Sequence, residues 1–189
     1  MVNVNTSKES KTKSEILSWI KTIALALILT WLISNFLFEV VVVNGESMMP
    51  NLQNGNRLII SKVSPIHRFD EIVFKAPDSN ENYVKRVIGL PGDTIEMKND
   101  TLYIDGKKYL EPYLNQYKKT LTVSDKMTND FTLEEITHKS HVPNGYVFVL
   151  GDNRLVSKDS RHFGFVPEKS IKGKIELRIW QFNEFGKPQ

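Results

Sequence analysis

Tyr83-Val84-Lys85-Arg86-Val87-Ile88 is a run of aromatic, β-branched and long side chains, and in an extended chain those side chains must alternate between two faces. Lys85 then shares an apolar face with Tyr83 and Val87, while Arg86 stands on the other, exposed or ion-paired. Similar runs recur on either side, at Arg57–Val63, Glu71–Phe74, Thr94–Lys98, Thr101–Ile104, Tyr146–Leu150 and Lys174–Phe182, with turn residues between them. Asn99-Asp100 and Asp105-Gly106 lie between alternating runs as hairpin turns, the second suited to a type I′ turn. The expected fold class is therefore mainly β, an antiparallel sheet with a β-meander. Residues 111–141 are more polar and less periodic, and are expected to be an excursion inserted in the sheet.

Toward the N-terminus the pattern changes. Thr22 to Phe38 contains no charged residue, and the apolar run continues past Glu39 into Val40–Val43, close to the ~20 residues a helix needs to cross a bilayer. A buried core helix would need a polar face, which this run lacks. A cleavable secretory signal would need a shorter apolar region and a small-x-small site, whereas Glu-Val-Val-Val-Val follows Phe38. The reading is an uncleaved transmembrane anchor over 21–40, preceded by a tail (1–20) whose first 14 or so residues are expected to be disordered. Lys8, Lys11, Lys13 and Lys21 before the anchor place that end in the cytoplasm and residues 41–189 outside, as one extracytoplasmic domain.

Composition removes several classes of function. The 189 residues include no cysteine, which excludes disulfides, thiolate metal sites and a cysteine nucleophile. His67, His138, His141 and His162 form no H-E-x-x-H pattern and read as surface or structural, so neither metal nor cofactor is expected. The net charge of +3 comes from dispersed lysines with no Arg-rich block, which gives nucleic-acid binding little support.

Three blocks carry candidate chemistry. Asn44-Gly45-Glu46-Ser47-Met48-Met49-Pro50 puts a serine in a tight turn just beyond the anchor, where backbone N–H groups can receive an oxyanion. Alone, such a serine is usually a turn former. No histidine is placed to activate it, which leaves a lysine. Lys85, on its apolar face, would lose hydration, and its pKa would fall toward the roughly 7–8 that suits a general base. Taken singly, such a lysine is more often a snorkelling surface lysine. The third block, Gly151-Asp152-Asn153-Arg154-Leu155-Val156-Ser157-Lys158-Asp159-Ser160-Arg161, follows an apolar strand with a dense set of charges and serines. Asp152, Arg154, Asp159 and Arg161 could pair to brace the loop, and Ser157 or Ser160 could orient a neutral lysine amine.

Together, S-M-x-P after an N-terminal anchor, Y-V-K-R-V-I-G-L-P-G-D and G-D-N-R-x-x-S-x-D-S-R strongly resemble type I signal peptidases in content, order and spacing, from the anchor to about Pro167. The resemblance implies a Ser–Lys dyad serine protease on a mostly antiparallel β fold at the outer membrane face, which releases secreted preproteins from their signal peptides at A-x-A-like sites. Carried over, Ser47 matches the nucleophile, Lys85 the general base and Ser157 the serine that orients the lysine. Asp159 and Arg161 match a supporting ion pair, and Met48 a residue lining the substrate groove. The implied partners are preproteins and the lipid bilayer.

The chain departs from the family pattern in two places. Members with a serine two residues before the nucleophile use it in the oxyanion hole, but Gly45 stands there, leaving the backbone N–H of Ser47 with Gly45 as a candidate assistant. Leu155 and Val156 replace a pair that is often polar. Two other functions compete: a self-cleaving repressor-type Ser–Lys protease, which would carry a DNA-binding domain in place of the anchor, and a membrane-tethered subunit that holds export substrates without cutting them.

Overall fold

The computed structural model describes residues 5–119, 126–180 and 185–188. The Tyr83–Ile88 run lies within the strand β4 (Asn82–Gly89), near the middle of a seven-stranded sheet. Its other members are β1 (Phe38–Val42), β2 (Arg57–Ser61), β3 (Glu71–Lys75), β9 (Tyr146–Leu150), β10 (Val166–Pro167) and β11 (Ile171–Trp180). The order is β1-β2-β11-β3-β4-β9-β10, and the pairings from β2 across to β10 are antiparallel. A second, four-stranded antiparallel sheet has the order β7-β6-β5-β8, formed by β5 (Ile95–Lys98), β6 (Thr101–Ile104), β7 (Lys107–Tyr109) and β8 (Phe131–Thr132).

The hairpin turns follow from their residues. Asn99 and Asp100 have φ of 48° and 54°, and Asp105 and Gly106 have 50° and 70°. Two consecutive positive φ angles are what a type I′ turn requires, and its twist matches the flanking strands. Of the expected strand Lys174–Phe182, the part to Trp180 belongs to β11, and Gln181-Phe182 lie outside the described residues, as do 120–125 of the 111–141 segment. Within that segment Phe131 and Thr132 pair with Met97 and Glu96, and Thr132 caps the short helix α3 (Leu133–Thr137) in a capping box with Glu135; α2 (Asn115–Lys118) precedes them.

The chain divides into two compact units between Phe38 and Glu39. The first is dominated by helix α1 (Asn5–Leu37). It begins well before the apolar run, which corrects the expectation of a disordered tail over residues 5–14; residues 1–4 lie outside the described residues. Its segment Glu15–Leu37 has a mean hydropathy of 2.1 and is long and apolar enough to cross a membrane. The helix stops at Leu37, and the valines that continued the apolar run join β1 instead. Four consecutive β-branched residues after Glu39, the first three of them in β1, suit a strand better than a helix, and Glu39 pairs with Lys62 at 3.0 Å.

Among the described residues of the second unit, four apolar clusters form the core. One of them, Val43, Met48, Leu52, Leu58, Ile60, Val73 and Ile175, lies directly under the loop that follows β1. Val43 and Leu52, 3% and 0% exposed, fix the two ends of the turn that carries Ser47, each burial being worth about 1.5–3 kcal/mol.

Candidate active site

Ser47 is half-buried, on a loop whose backbone closes on itself through Met49 N–H to Glu46 O at 3.1 Å and Leu52 N–H to Met48 O at 2.9 Å. The loop is clamped from outside by Asn153, whose backbone N–H donates to Ser47 O at 3.0 Å and whose side-chain amine donates to Glu46 O at 3.1 Å. Gly45 adopts φ of 91°, a left-handed conformation that favours glycine, and its N–H donates to Asn54 Oδ1 at 3.0 Å. That amide, read from the sequence as a candidate oxyanion assistant, is directed at Asn54 in this structure.

Lys85 comes from β4 opposite Ile72 and is 3% exposed. Its Nζ lies 2.7 Å from Ser47 Oγ and 3.0 Å from the carbonyl of Val84. A protonated amine donates to the hydroxyl, whereas a neutral amine accepts its proton. Burial lowers the Lys85 pKa to about 8, against the opposing pull of the Asp159 and Asp152 carboxylates. The pair opens into a groove of about 710 Å³ lined by Val41–Met48 on one side, Glu81–Lys85 on the other, and Val73, Val156 and Lys158. Met48 lines this groove while its side chain anchors the loop.

The third block packs behind this pair. Gly151 stands where an added Cβ would come within 2.5 Å of Ser47 O and 2.1 Å of Ser157 Oγ, so only the absence of a side chain lets the three segments meet. Ser157 is buried and makes no hydrogen bond to Lys85; its hydroxyl lies beside the Asp159 carboxylate, whose pKa it helps to lower. Asp159 and Arg161 pair at 2.8 Å, and the Asp159 carboxylate also accepts from Gly151 N–H at 3.0 Å. Burial pushes the Asp159 carboxyl up, but these bonds and the Arg161 charge hold it below its usual value.

The other two charges of the block find partners outside it. Asp152 binds Arg86, whose guanidinium also reaches Glu71 at 2.6 Å, and Arg154 pairs with Glu111 at the start of the 111–141 segment. Arg86 is thus buried and ion-paired on the far face of β4. The four histidines all lie on the surface. Sequence reasoning assigned no role to Asn51, Asn153, Gly151 or Glu111. Asn153 acts by clamping backbone carbonyls of the Ser47 loop and Gly151 by lacking a side chain, and neither leaves a pattern of residue types.

Similarity to known proteins is extensive. Residues 16–180 match the family described as Signal peptidase, peptidase S26. Signal peptidase I of Bacillus caldolyticus is 58% identical over 154 residues, covering 79% of this chain and 84% of that protein. Signal peptidase IB of Staphylococcus aureus (strain COL) is 44% identical over 181 residues, 92% of this chain and 94% of that protein. The crystal structure of a signal peptidase I from Enterococcus faecalis V583 superposes with a TM-score of 0.58 at 46% identity, covering 59% of this chain and 97% of that one.

Proposed function

Because the chain belongs to the signal peptidase family, peptidase S26, we propose that it is a membrane-anchored serine endopeptidase that removes signal peptides from secreted preproteins, with Ser47 as nucleophile and Lys85 as general base. The observation that carries this reading is the 2.7 Å contact between a buried Lys85 Nζ and Ser47 Oγ at the floor of an open groove.

Neutral Lys85 takes the hydroxyl proton as Ser47 Oγ attacks the scissile carbonyl carbon, and the backbone N–H of Ser47 receives the oxyanion. The intermediate collapses by breaking the C–N bond, and the lysine ammonium passes its proton to the departing amine. Water, deprotonated by the same lysine, then hydrolyses the ester on Ser47 and releases the signal peptide with a new carboxylate. To Ser157, whose buried hydroxyl lies beside the Asp159 carboxylate, this reading gives the role of orienting the amine, and the Asp159–Arg161 pair holds the Ser157 loop. The apolar lining of Val41, Val43, Met48, Val73 and Val84 favours shallow pockets that take small residues at the first and third positions before the cut, giving A-x-A-like sites. The anchor, with its N-terminus in the cytoplasm, confines the groove to the outer bilayer surface where the preprotein's own apolar segment is held.

The test is to reconstitute the full chain in bilayers with one preprotein and follow the size shift. The wild type should cut, and Ser47→Ala and Lys85→Ala should not, while both variants stay folded. Near-normal cleavage by Lys85→Ala would reject the dyad. A wild-type chain that retains the preprotein uncut would favour a tethered binding subunit.

A further inference from the structure

Asn51 lies four positions after Ser47 on the same loop. Its side-chain amide N–H group donates to Asp152 Oδ2 at 2.7 Å and to the carbonyl of Tyr113 at 2.9 Å, and its backbone carbonyl accepts from Arg178 Nη1 at 2.8 Å. Both partners of the side chain are acceptors, which fixes its amine end in this direction. The other Asp152 oxygen accepts from Arg86 Nε at 2.9 Å, and Arg86 neighbours Lys85 on β4. Asp152 and Arg86 are 1% and 3% exposed, so this link is sheltered from water.

We infer that Asn51 is a positioning residue: through Asp152 and Arg86 it straps the loop bearing Ser47 to the strand bearing Lys85, setting their separation from behind. The inference rests on the dyad reading above and adds to it a residue that touches neither substrate nor reacting atom. The contact between Ser47 and Lys85 cannot hold its own geometry, because it must break and re-form with every proton transfer. A strap of buried, charge-assisted hydrogen bonds persists through the cycle.

The test uses the full chain in bilayers with a preprotein, comparing wild type, Asn51→Leu, Asn51→Asp and Ser47→Ala. Asn51→Leu keeps the size and loses the donor; kcat should fall on the order of 10- to 100-fold with KM within about twofold, the cost of a misplaced reacting pair. Asn51→Asp places a carboxyl against Asp152, and when protonated it donates again, so its rate relative to wild type should rise as pH falls or already match wild type. Hydrogen exchange in residues 44–53 should quicken in Asn51→Leu while β4 and β11 keep their protection. A wild-type kcat in Asn51→Leu, a loss shared equally with β4 protection, or a low ratio for Asn51→Asp that is flat with pH would each overturn the strap. If Ser47→Ala still cuts, the dyad reading fails instead, and hydrogen exchange alone judges the strap.

Discussion

Replacing Lys85 by methionine should abolish cleavage and at the same time make the fold more stable. In the folded chain burial brings the Lys85 pKa from 10.5 down to about 8. Below that value both the folded and unfolded chains hold the proton, and the folded state carries the full cost of a buried ammonium, about 3 kcal/mol. Methionine fills nearly the same volume without a charge. It forfeits the hydrogen bonds to Ser47 Oγ and Val84 O, each worth about 1 kcal/mol, so the net gain at pH 7 is about 1–2 kcal/mol.

The pH dependence separates this cause from better packing. A lysine whose folded pKa is depressed penalises the fold fully at low pH, and the penalty is released as pH rises from about 8 toward 10.5, where only the unfolded chain retains the proton. Between pH 7 and 9.5 the wild type should therefore gain about 2 kcal/mol relative to Lys85→Met. Urea unfolding of the detergent-solubilised chain, followed by near-ultraviolet circular dichroism at several pH values, measures the difference. A gap between the two proteins that stays constant with pH would refute the desolvated lysine, and cleavage by Lys85→Met would refute its role as base.

Gly151→Ala places a Cβ 2.5 Å from the Ser47 carbonyl oxygen and 2.1 Å from Ser157 Oγ, so single-turnover cleavage should slow on the order of 100-fold while thermal unfolding stays cooperative. Asp159→Asn removes a charge that holds the Lys85 pKa up, so the acidic limb of the rate–pH profile should move to lower pH; a move to higher pH would contradict the assignment. Arg86→Leu leaves Glu71 and Asp152 buried without their shared cation and should destabilise the domain by about 3–5 kcal/mol, measured by urea unfolding. Thr132→Ala loses the capping box of α3 and should cost about 1 kcal/mol in the same assay, without effect on cleavage.

What could be read from the chain and what could not divide along a physical line. Strands β4, β6 and β9 were legible because alternation and turn residues are local, and the two hairpin turns because few residue pairs accept two positive φ angles. Strand β1 was hidden because a valine run after an apolar helix has the same hydropathy whether it continues the helix or leaves it; only its pairing distinguishes the two. The Thr132–Glu135 capping box was a local signal, present in the chain and overlooked in a segment that otherwise has no period.

The candidate site shows the same division with a sharper consequence. An apolar face for Lys85 follows from strand alternation, but β4 is buried on both faces, so alternation in residue type is not alternation in exposure. Arg86 is tolerated inside because Glu71 and Asp152, 15 and 66 positions away, converge on it, and no local pattern reports such a convergence. One of those carboxylates bears on the lysine: Asp152 braces Arg86 and also, with Asp159, pulls the Lys85 pKa upward against burial. A buried lysine with no acid nearby would be driven further down, and one paired directly with a carboxylate would remain an ammonium. Burial draws the Lys85 pKa down to about 8 against two carboxylates, Asp152 bound by Arg86 and Asp159 by Arg161, so the ion-paired acids of the third block bear on the lysine itself and not only on the loop they brace.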